Sequence, residues 1–357
     1  MTASLSGVVP GIIDTHIHQW DPFANPTPTS SVAKLNRMAP WLVDLLWKSV
    51  IPREVKEFLR TKDNVLHRYL PETYAADIGP VEVPVEGVVH VQADWRGKGP
   101  MGPVGETRWL ETLPFGQGGL PKLMGIVGAA DPREPHFAAL LDAHQEASPV
   151  FRGIRCMGAW HADKHVHKYG DVAGLFRQPE FLGGFAALAE RDLTFDAYVY
   201  SHQLDDVTLL AQEYPDTTIV LDHYAPLVGW GGPMGSQGAT AAERAALFDQ
   251  WHDAISRLAE RPNVVAKHSG LAFPMNGFPT TTYTRSMVAD VAGPLVEHTT
   301  DVFGPDRLMF GSNFPMDKAL APYDAVVGAL TDLLAPRGEE LLRKVFRENA
   351  LRIYSLE

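Results

Sequence analysis

His16 and His18, one residue apart near the end of the apolar run Gly11–Trp20, are the side chains of this sequence best placed to do chemistry. Alternate residues of a strand share a face, so Asp14, His16 and His18 are expected to point the same way. Two imidazoles set like this can hold one metal ion or one anionic substrate. A second apolar run, Arg307–Phe314, leads into Gly311-Ser312-Asn313-Phe314-Pro315. The Asn313 amide offers a carbonyl acceptor and an NH₂ donor but takes up no proton near neutral pH. Further polar residues follow other apolar runs: Arg155, His202, Asp222-His223 and Lys267-His268. Neighbours in a strand face opposite ways, so one member of each pair should enter a shared pocket. His223 is taken as the pocket residue and Asp222 as structural. Asp14, deeper on its strand, is expected to orient a histidine or a backbone amide.

Eight short apolar runs must position these residues: Gly11–Trp20, Val85–Asp94, Lys122–Asp131, Val150–Met157, Thr194–Tyr200, Thr217–Tyr224, Asn263–Gly270 and Arg307–Phe314. Helical patterns alternate with them at Pro135–Ala147, Gly183–Arg191, Leu204–Tyr214, Ala239–Glu260 and Ser286–Phe303, and Tyr323–Leu334 and Glu339–Tyr354 close the chain. Apolar strands alternating with amphipathic helices predict a parallel sheet covered on both faces, and eight such units predict a (β/α)8 barrel. An open doubly wound sheet is the alternative, but no Gly-x-Gly-x-x-Gly turn follows the first run. In a barrel all the strand ends converge on one pocket.

Two segments exceed a minimal barrel. Residues 25–80 carry helix-like pieces at Trp41–Ser49 and Pro52–Thr61, and Val228–Gly235 follows the sixth run. Both would lie over the strand C-termini as walls or lids. The whole of 1–357 is therefore expected to form one barrel domain with a helical insertion. His161, His165 and His167, with Lys164 and Lys168, form a basic loop expected to rim the pocket. His90 is expected in the core. Trp20, Trp95, Tyr224, Trp230 and Phe314 stand at or just past strand ends and could line the pocket.

Composition narrows the function. Net charge is −12, which argues against nucleic acid or an anionic membrane as the main partner. The single cysteine, Cys156, excludes an intramolecular disulfide and a cysteine-based zinc site. No apolar run reaches membrane-spanning length, and the N-terminus lacks a basic stretch followed by an apolar core. A cytoplasmic enzyme acting on a small molecule is the expectation, with homo-oligomerisation left open.

The segments Ile13-Asp14-Thr15-His16-Ile17-His18-Gln19-Trp20-Asp21, Phe151-Arg152-Gly153-Ile154-Arg155, Leu221-Asp222-His223, Asn263–Leu271, Arg307–Pro315 and Glu348-Asn349-Ala350 occur in one order along the chain. Together they resemble the amidohydrolase superfamily, in the branch that includes 2-pyrone-4,6-dicarboxylate lactonase and sugar-acid lactonases. The resemblance implies that His16, His18 and His202 ligate one divalent metal (Zn²⁺ or Mn²⁺), or polarise the substrate without one. It also favours Lys267 as the pocket member of its pair. Arg155 stands where binuclear relatives carry a bridging lysine, so a binuclear centre is not expected. Asn313 stands where the family usually has the aspartate that activates water. His223, His202 and Asp317 are the candidate replacement bases.

The expected function is hydrolysis of a lactone, or a related ester or amide bond, in a small carboxylated metabolite. His16, His18, His202, His223 and Asn313 would be catalytic, and Arg155, Lys267, Tyr224 and Trp20 would bind substrate. Arg155 suits this because its guanidinium can grip a carboxylate with two hydrogen bonds. The alternatives are a non-oxidative decarboxylase of an aromatic or unsaturated acid, and a non-catalytic binding barrel.

Overall fold

The computed structural model describes residues 3–276 and 281–357. Among these, parallel strands are hydrogen-bonded in sequence order: β1 Ile12–Ile17, β2 Val85–Val91, β3 Lys122–Ala129, β4 Phe151–Met157, β5 Thr194–Tyr198, β6 Ile219–Leu221, β7 Val264–His268 and β8 Leu308–Phe310. β1 and β8 meet through an Ile17–Phe314 bridge, Asn313 N–H donating to the His16 carbonyl (2.8 Å) and His18 N–H donating to the Phe314 carbonyl (2.8 Å). The predicted (β/α)8 barrel is present, and each predicted apolar run contains one strand.

Five helices, α1 Ser30–Met38, α2 Pro40–Ser49, α3 Arg53–Leu59, α4 Asp63–Leu66 and α5 Pro71–Ile78, fill the connection from β1 to β2. The later helices are α6 Val104–Leu110, α7 Phe137–Ala147, α8 Pro179–Ala189, α9 Leu204–Glu213, α10 Ala241–Ala259, α11 Arg285–Phe303, α12 Tyr323–Leu334, α13 Glu339–Arg343 and α14 Asn349–Ile353. A π-helical stretch, Lys344–Glu348, separates the last two, so the predicted helix Glu339–Tyr354 is interrupted. No helix among the described residues is long and apolar enough to cross a membrane.

Ile13, Val89, Val91, Val127, Val220, Val265 and Met309 form one buried cluster inside the barrel, with Tyr354 and Leu356 of the C-terminal segment packed into it. A larger cluster lies between sheet and helices. This separation follows from strand parity, except on β1. There the register advances from Asp14–Val88 to Ile17–His90, three residues against two, as in a β-bulge. Asp14 consequently faces out and His16 in, which corrects the expectation that they share a face.

Asp14 is fully buried and saturated with donors. Oδ1 accepts the amides of His16 (3.1 Å) and Ser312 (2.8 Å), and Oδ2 accepts the hydroxyls of Tyr74 (2.8 Å) and Tyr323 (3.0 Å). It thus ties β1 to the chain after β8 and to α5 and α12, and it does orient a backbone amide, that of His16. Asp14→Ala leaves these donors unpaired and should cost about 3 kcal/mol or more, read as a lower urea midpoint. A loss below about 0.5 kcal/mol, the scale of an ordinary surface substitution, would contradict this role.

Candidate active site

The polar residues of the strand ends meet around His16. Its ring is fully buried, with Nδ1 3.3 Å from Asp222 Oδ1 and 3.3 Å from Lys267 Nζ. Arg155 Nη1 lies 3.3 Å from Nε2 on the other edge. Such close approach depends on Gly311, where a Cβ would come within 2.7 Å of His16 Cβ. Arg155 Nη1 also reaches Asp222 Oδ2 (3.4 Å), and Nη2 donates to the Gln92 carbonyl (2.9 Å). Lys267 Nζ lies 3.4 Å from Asp222 Oδ1 and donates to Asp196 Oδ2, while Tyr354 O–H donates to both Asp196 oxygens (2.9 and 3.0 Å). Burial alone would raise the Asp222 carboxyl, but the Lys267 ammonium and His16 hold it well below the usual range.

His223 occupies the turn after β6. Three successive residues, His223, Tyr224 and Ala225, have φ of 54°, 61° and 51°, a left-handed conformation that costs non-glycine residues roughly 1–2 kcal/mol each. Packing fixes the turn: His223 N–H and Nδ1 both meet Ser269 Oγ (3.3 and 2.8 Å), and Trp251 Nε1 donates to the Tyr224 carbonyl (2.8 Å). Gly270 is required here, since a Cβ on it would fall 2.8 Å from His223 Cβ. The His223 and His16 ring centroids are 4.4 Å apart. Burial lowers the His223 pKa to about 3, with Arg155 and Lys267 acting in the same direction. His223 is therefore neutral at pH 7.

His18 donates from Nδ1 to the Val91 carbonyl (2.7 Å). Burial, reinforced by Arg155, pushes its pKa well below 6.5, so the neutral ring presents Nε2 as an acceptor. Facing it at 3.3 Å is Asn313 Oδ1, a second acceptor. Asn313 Nδ2 donates to Asp317 Oδ1 (2.7 Å), and Asp317 Oδ2 accepts the Ala272 amide (3.0 Å). Burial raises Asp317 to about 7, against the pull of both hydrogen bonds. While Asp317 is ionised, it holds the amide with its carbonyl toward His18. Once protonated, Asp317 can donate, and a flipped amide would then offer NH₂ to His18.

A cavity of about 450 Å³ opens above this floor, lined by His18, Arg155, His223 and Asn313 below and by Trp20, Tyr198, Val55, Leu59, Val65 and Phe273 among its walls. Its size is that of a small-molecule site. Thr27, Val55, Leu59 and Val65 of the insertion line it, and His167 and Lys168 of the basic loop are also among its lining residues.

Several predicted site residues are not brought to the cavity. His202 lies beyond β5 in the turn Ser201–Gln203, which Gln203 pins by donating to the Gly158 carbonyl and accepting the Trp160 amide (both 2.9 Å). That turn carries His202 away from the barrel axis, exposed, against His161 (5.3 Å between rings) in a second cavity of about 410 Å³. The ligand set His16, His18, His202 is thereby corrected. Lys267 enters the barrel but is sealed beneath His16 by its carboxylates, so it cannot touch substrate directly. Tyr224 is turned outward, its hydroxyl 2.8 Å from His268 Nδ1. The loop Val228–Gly235 does not line the main cavity; Val228 borders the second one, and Trp230 stacks on Phe248 (5.7 Å). Trp95 and Phe314 pack on Trp109 and Tyr323. His90 is buried in the core, as expected.

Sequence reasoning missed Tyr198, Asp196 and the direct role of Asp222. Tyr198 ends β5 and faces the cavity, with Arg155 over its ring at 5.9 Å. It and Asp196 alternate on one strand, a pattern that could have identified both.

His16, Asp222 and His223 do offer three ligand atoms within 4.8 Å of one another. Each nitrogen of His16 already faces a cation, however, and Asp222 is shared by Lys267 and Arg155. Lys267 and Arg155 already balance Asp196 and Asp222, so a divalent ion there would add two positive charges with no free carboxylate to meet them, which Coulomb repulsion opposes. The residues as arranged do not fit a divalent metal.

This buried polar centre at the C-terminal end of a parallel barrel agrees with sequence comparison. The chain belongs to the amidohydrolase family, whose profile matches residues 13–356. It is 32% identical over 343 residues to the uncharacterized protein y4mH of Sinorhizobium fredii, covering 96% of this chain and 98% of that one. It is 28% identical over 209 residues to an L-fucono-1,5-lactonase of Burkholderia multivorans, covering 57% and 62%. A zinc-bound amidohydrolase structure from Burkholderia multivorans shares the fold, with a TM-score of 0.68 at 22% identity over 97% of this chain and 100% of that one.

Asp317 gives the site a measurable pH dependence. Its folded pKa of about 7 exceeds the ordinary 3.8, so the folded state holds a proton that the unfolded chain releases. The stability contributed by this proton is complete below about pH 4 and is lost as pH rises through 7, about 4 kcal/mol in total. Urea titrations across this range should show that decline in the native protein and a flatter profile in Asp317→Asn. Parallel profiles would contradict it.

Proposed function

We propose that this amidohydrolase hydrolyses a lactone, or a related ester or amide bond, of a small carboxylated metabolite, without a metal. The observation that carries the reading is the pair of opposed acceptors, His18 Nε2 and Asn313 Oδ1, beside the Arg155 guanidinium at the cavity floor. Two acceptors 3.3 Å apart can share the hydrogens of one water, leaving its lone pair turned into the cavity. His18 Nε2 takes the proton as water attacks the carbonyl carbon. Arg155 faces the developing oxyanion or the substrate's carboxylate, and its Nε–H has no hydrogen-bond partner among the described residues. His16 and His223, neutral and fixed, hold Arg155 and Asp222 in register. The alkoxide leaving group recovers the proton from His18. The lactonase relative supports the reaction class.

Purified protein, stripped with a chelator and checked by metal analysis, should open 1,5-lactones at an undiminished rate, followed by acid release. Release of CO₂ from an aromatic acid instead would make it a decarboxylase. Binding without turnover, with or without added Zn²⁺ or Mn²⁺, would make it a binding protein. Activity that vanishes on stripping and returns with metal would overturn the metal-free mechanism.

Asn313→Asp provides a separate test of the acceptor pair. It would set two carboxyls within hydrogen-bond distance, where they must share a proton, and so gives no free base. Lactone hydrolysis should fall by roughly tenfold or more, the scale of a positioned proton-transfer group. Adding Asp317→Asn exchanges amide and acid, and should recover activity. A single variant faster than the native protein would show that Asn313 marks a lost base.

A further inference from the structure

The upper walls of the cavity differ in chemistry from its floor. Val55 and Leu59 stand one turn apart on α3 and reach the cavity together with Val65; Phe273 and Met316 border it from the other strand ends. On the insertion side the polar groups interleaved with them are already committed. Thr27 Oγ1 meets Thr29 Oγ1 (3.1 Å) and Ser30 Oγ (3.0 Å), Thr29 Oγ1 donates to the Val65 carbonyl (3.1 Å), and Trp20 Nε1 donates to the His67 carbonyl (2.9 Å). At the rim, Gln92 Oε1 accepts the Asp94 amide (3.0 Å), Asp94 pairs with Arg96 (2.8 Å), and Lys168 lies over the Trp160 ring (4.8 Å).

A sugar lactone brings several hydroxyls, each of which loses water on entry and needs a partner in return. The insertion side of the wall offers carbon surface where such partners would have to stand. An alkyl or aryl group gains from leaving water against the same surface. We infer that the site takes lactones carrying an apolar alkyl or aryl substituent, with Val55, Leu59 and Val65 of the insertion selecting them over polyhydroxylated sugar lactones. The reaction so assigned rests on the lactone-hydrolase reading; the binding preference does not.

The preference can therefore be measured without turnover. Calorimetric titration of the native protein with 5-hydroxydecanoate and with gluconate, the ring-opened acids of δ-decalactone and D-glucono-1,5-lactone, compares an alkyl tail with a polyol on one carboxylate head. The alkyl acid should bind roughly tenfold tighter or more, the discrimination a few methylenes confer in an apolar pocket. Leu59→Ser and, as a near-isosteric second variant, Val65→Thr should each narrow that ratio several-fold, with thermal melting confirming that both fold. Gluconate binding as tightly as the alkyl acid, or neither acid binding, overturns the inference. A ratio unmoved in both folded variants means adsorption outside this wall and overturns it as well. Alkyl-acid binding with no hydrolysis of either lactone upholds the inference and defeats the hydrolase reading.

Discussion

Lys267 carries a charge into the barrel interior, and much of the site is arranged around the need to neutralise it there. An unpaired ammonium at such depth would cost several kcal/mol, and Asp196 and Asp222 supply the counter-charge. Each carboxylate then serves a second partner. Asp196 accepts the Tyr354 hydroxyl from the chain's last turn, which ties the barrel floor to the C-terminus. Asp222 reaches His16 and Arg155, which ties the same charge to the cavity. The lysine has no contact with the cavity and still determines what the cavity floor can be.

Two buried cations and two buried carboxylates leave the centre close to neutral, with the histidines uncharged. The positive edge presented to a ligand is then the partly open guanidinium of Arg155, a donor to a carbonyl or carboxylate rather than a seat for another cation.

The barrel was legible because alternating strands and helices leave periodic traces, and strand-end polarity pointed to one rim. His16, His18, Arg155, His223, Asn313 and Trp20 were found by that logic. Its failures have local causes. The parity rule assigned Asp14 to the face of His16 until a bulge in β1 separated them. It assigned Asp222 to structure, but β6 ends at Leu221, and the left-handed turn beyond it lets Asp222 and His223 both face inward. His202 lies past the last residue of β5, where a side-chain-pinned turn decides direction and alternation decides nothing. Tyr198, at the actual strand end, lay unmarked inside the longer predicted run Thr194–Tyr200. Burial of Lys267 beneath its partners was invisible for a different reason: its carboxylates come from β5 and the β6 turn, remote in sequence.

Asn313 and Asp317 show the same displacement at the functional group itself. The acid is not absent; it stands four residues later, behind the amide, in hydrogen-bond contact with it. Placed behind Asn313, it acts through a neutral group that can present either a carbonyl or an NH₂ to His18. In the proposed hydrolysis the carbonyl complements a water that must give up a proton, whereas the NH₂ would cap His18 Nε2 and remove the proposed base. Ionised Asp317 selects the first arrangement and protonated Asp317 permits the second, so a carboxyl outside the cavity governs whether His18 is free to accept.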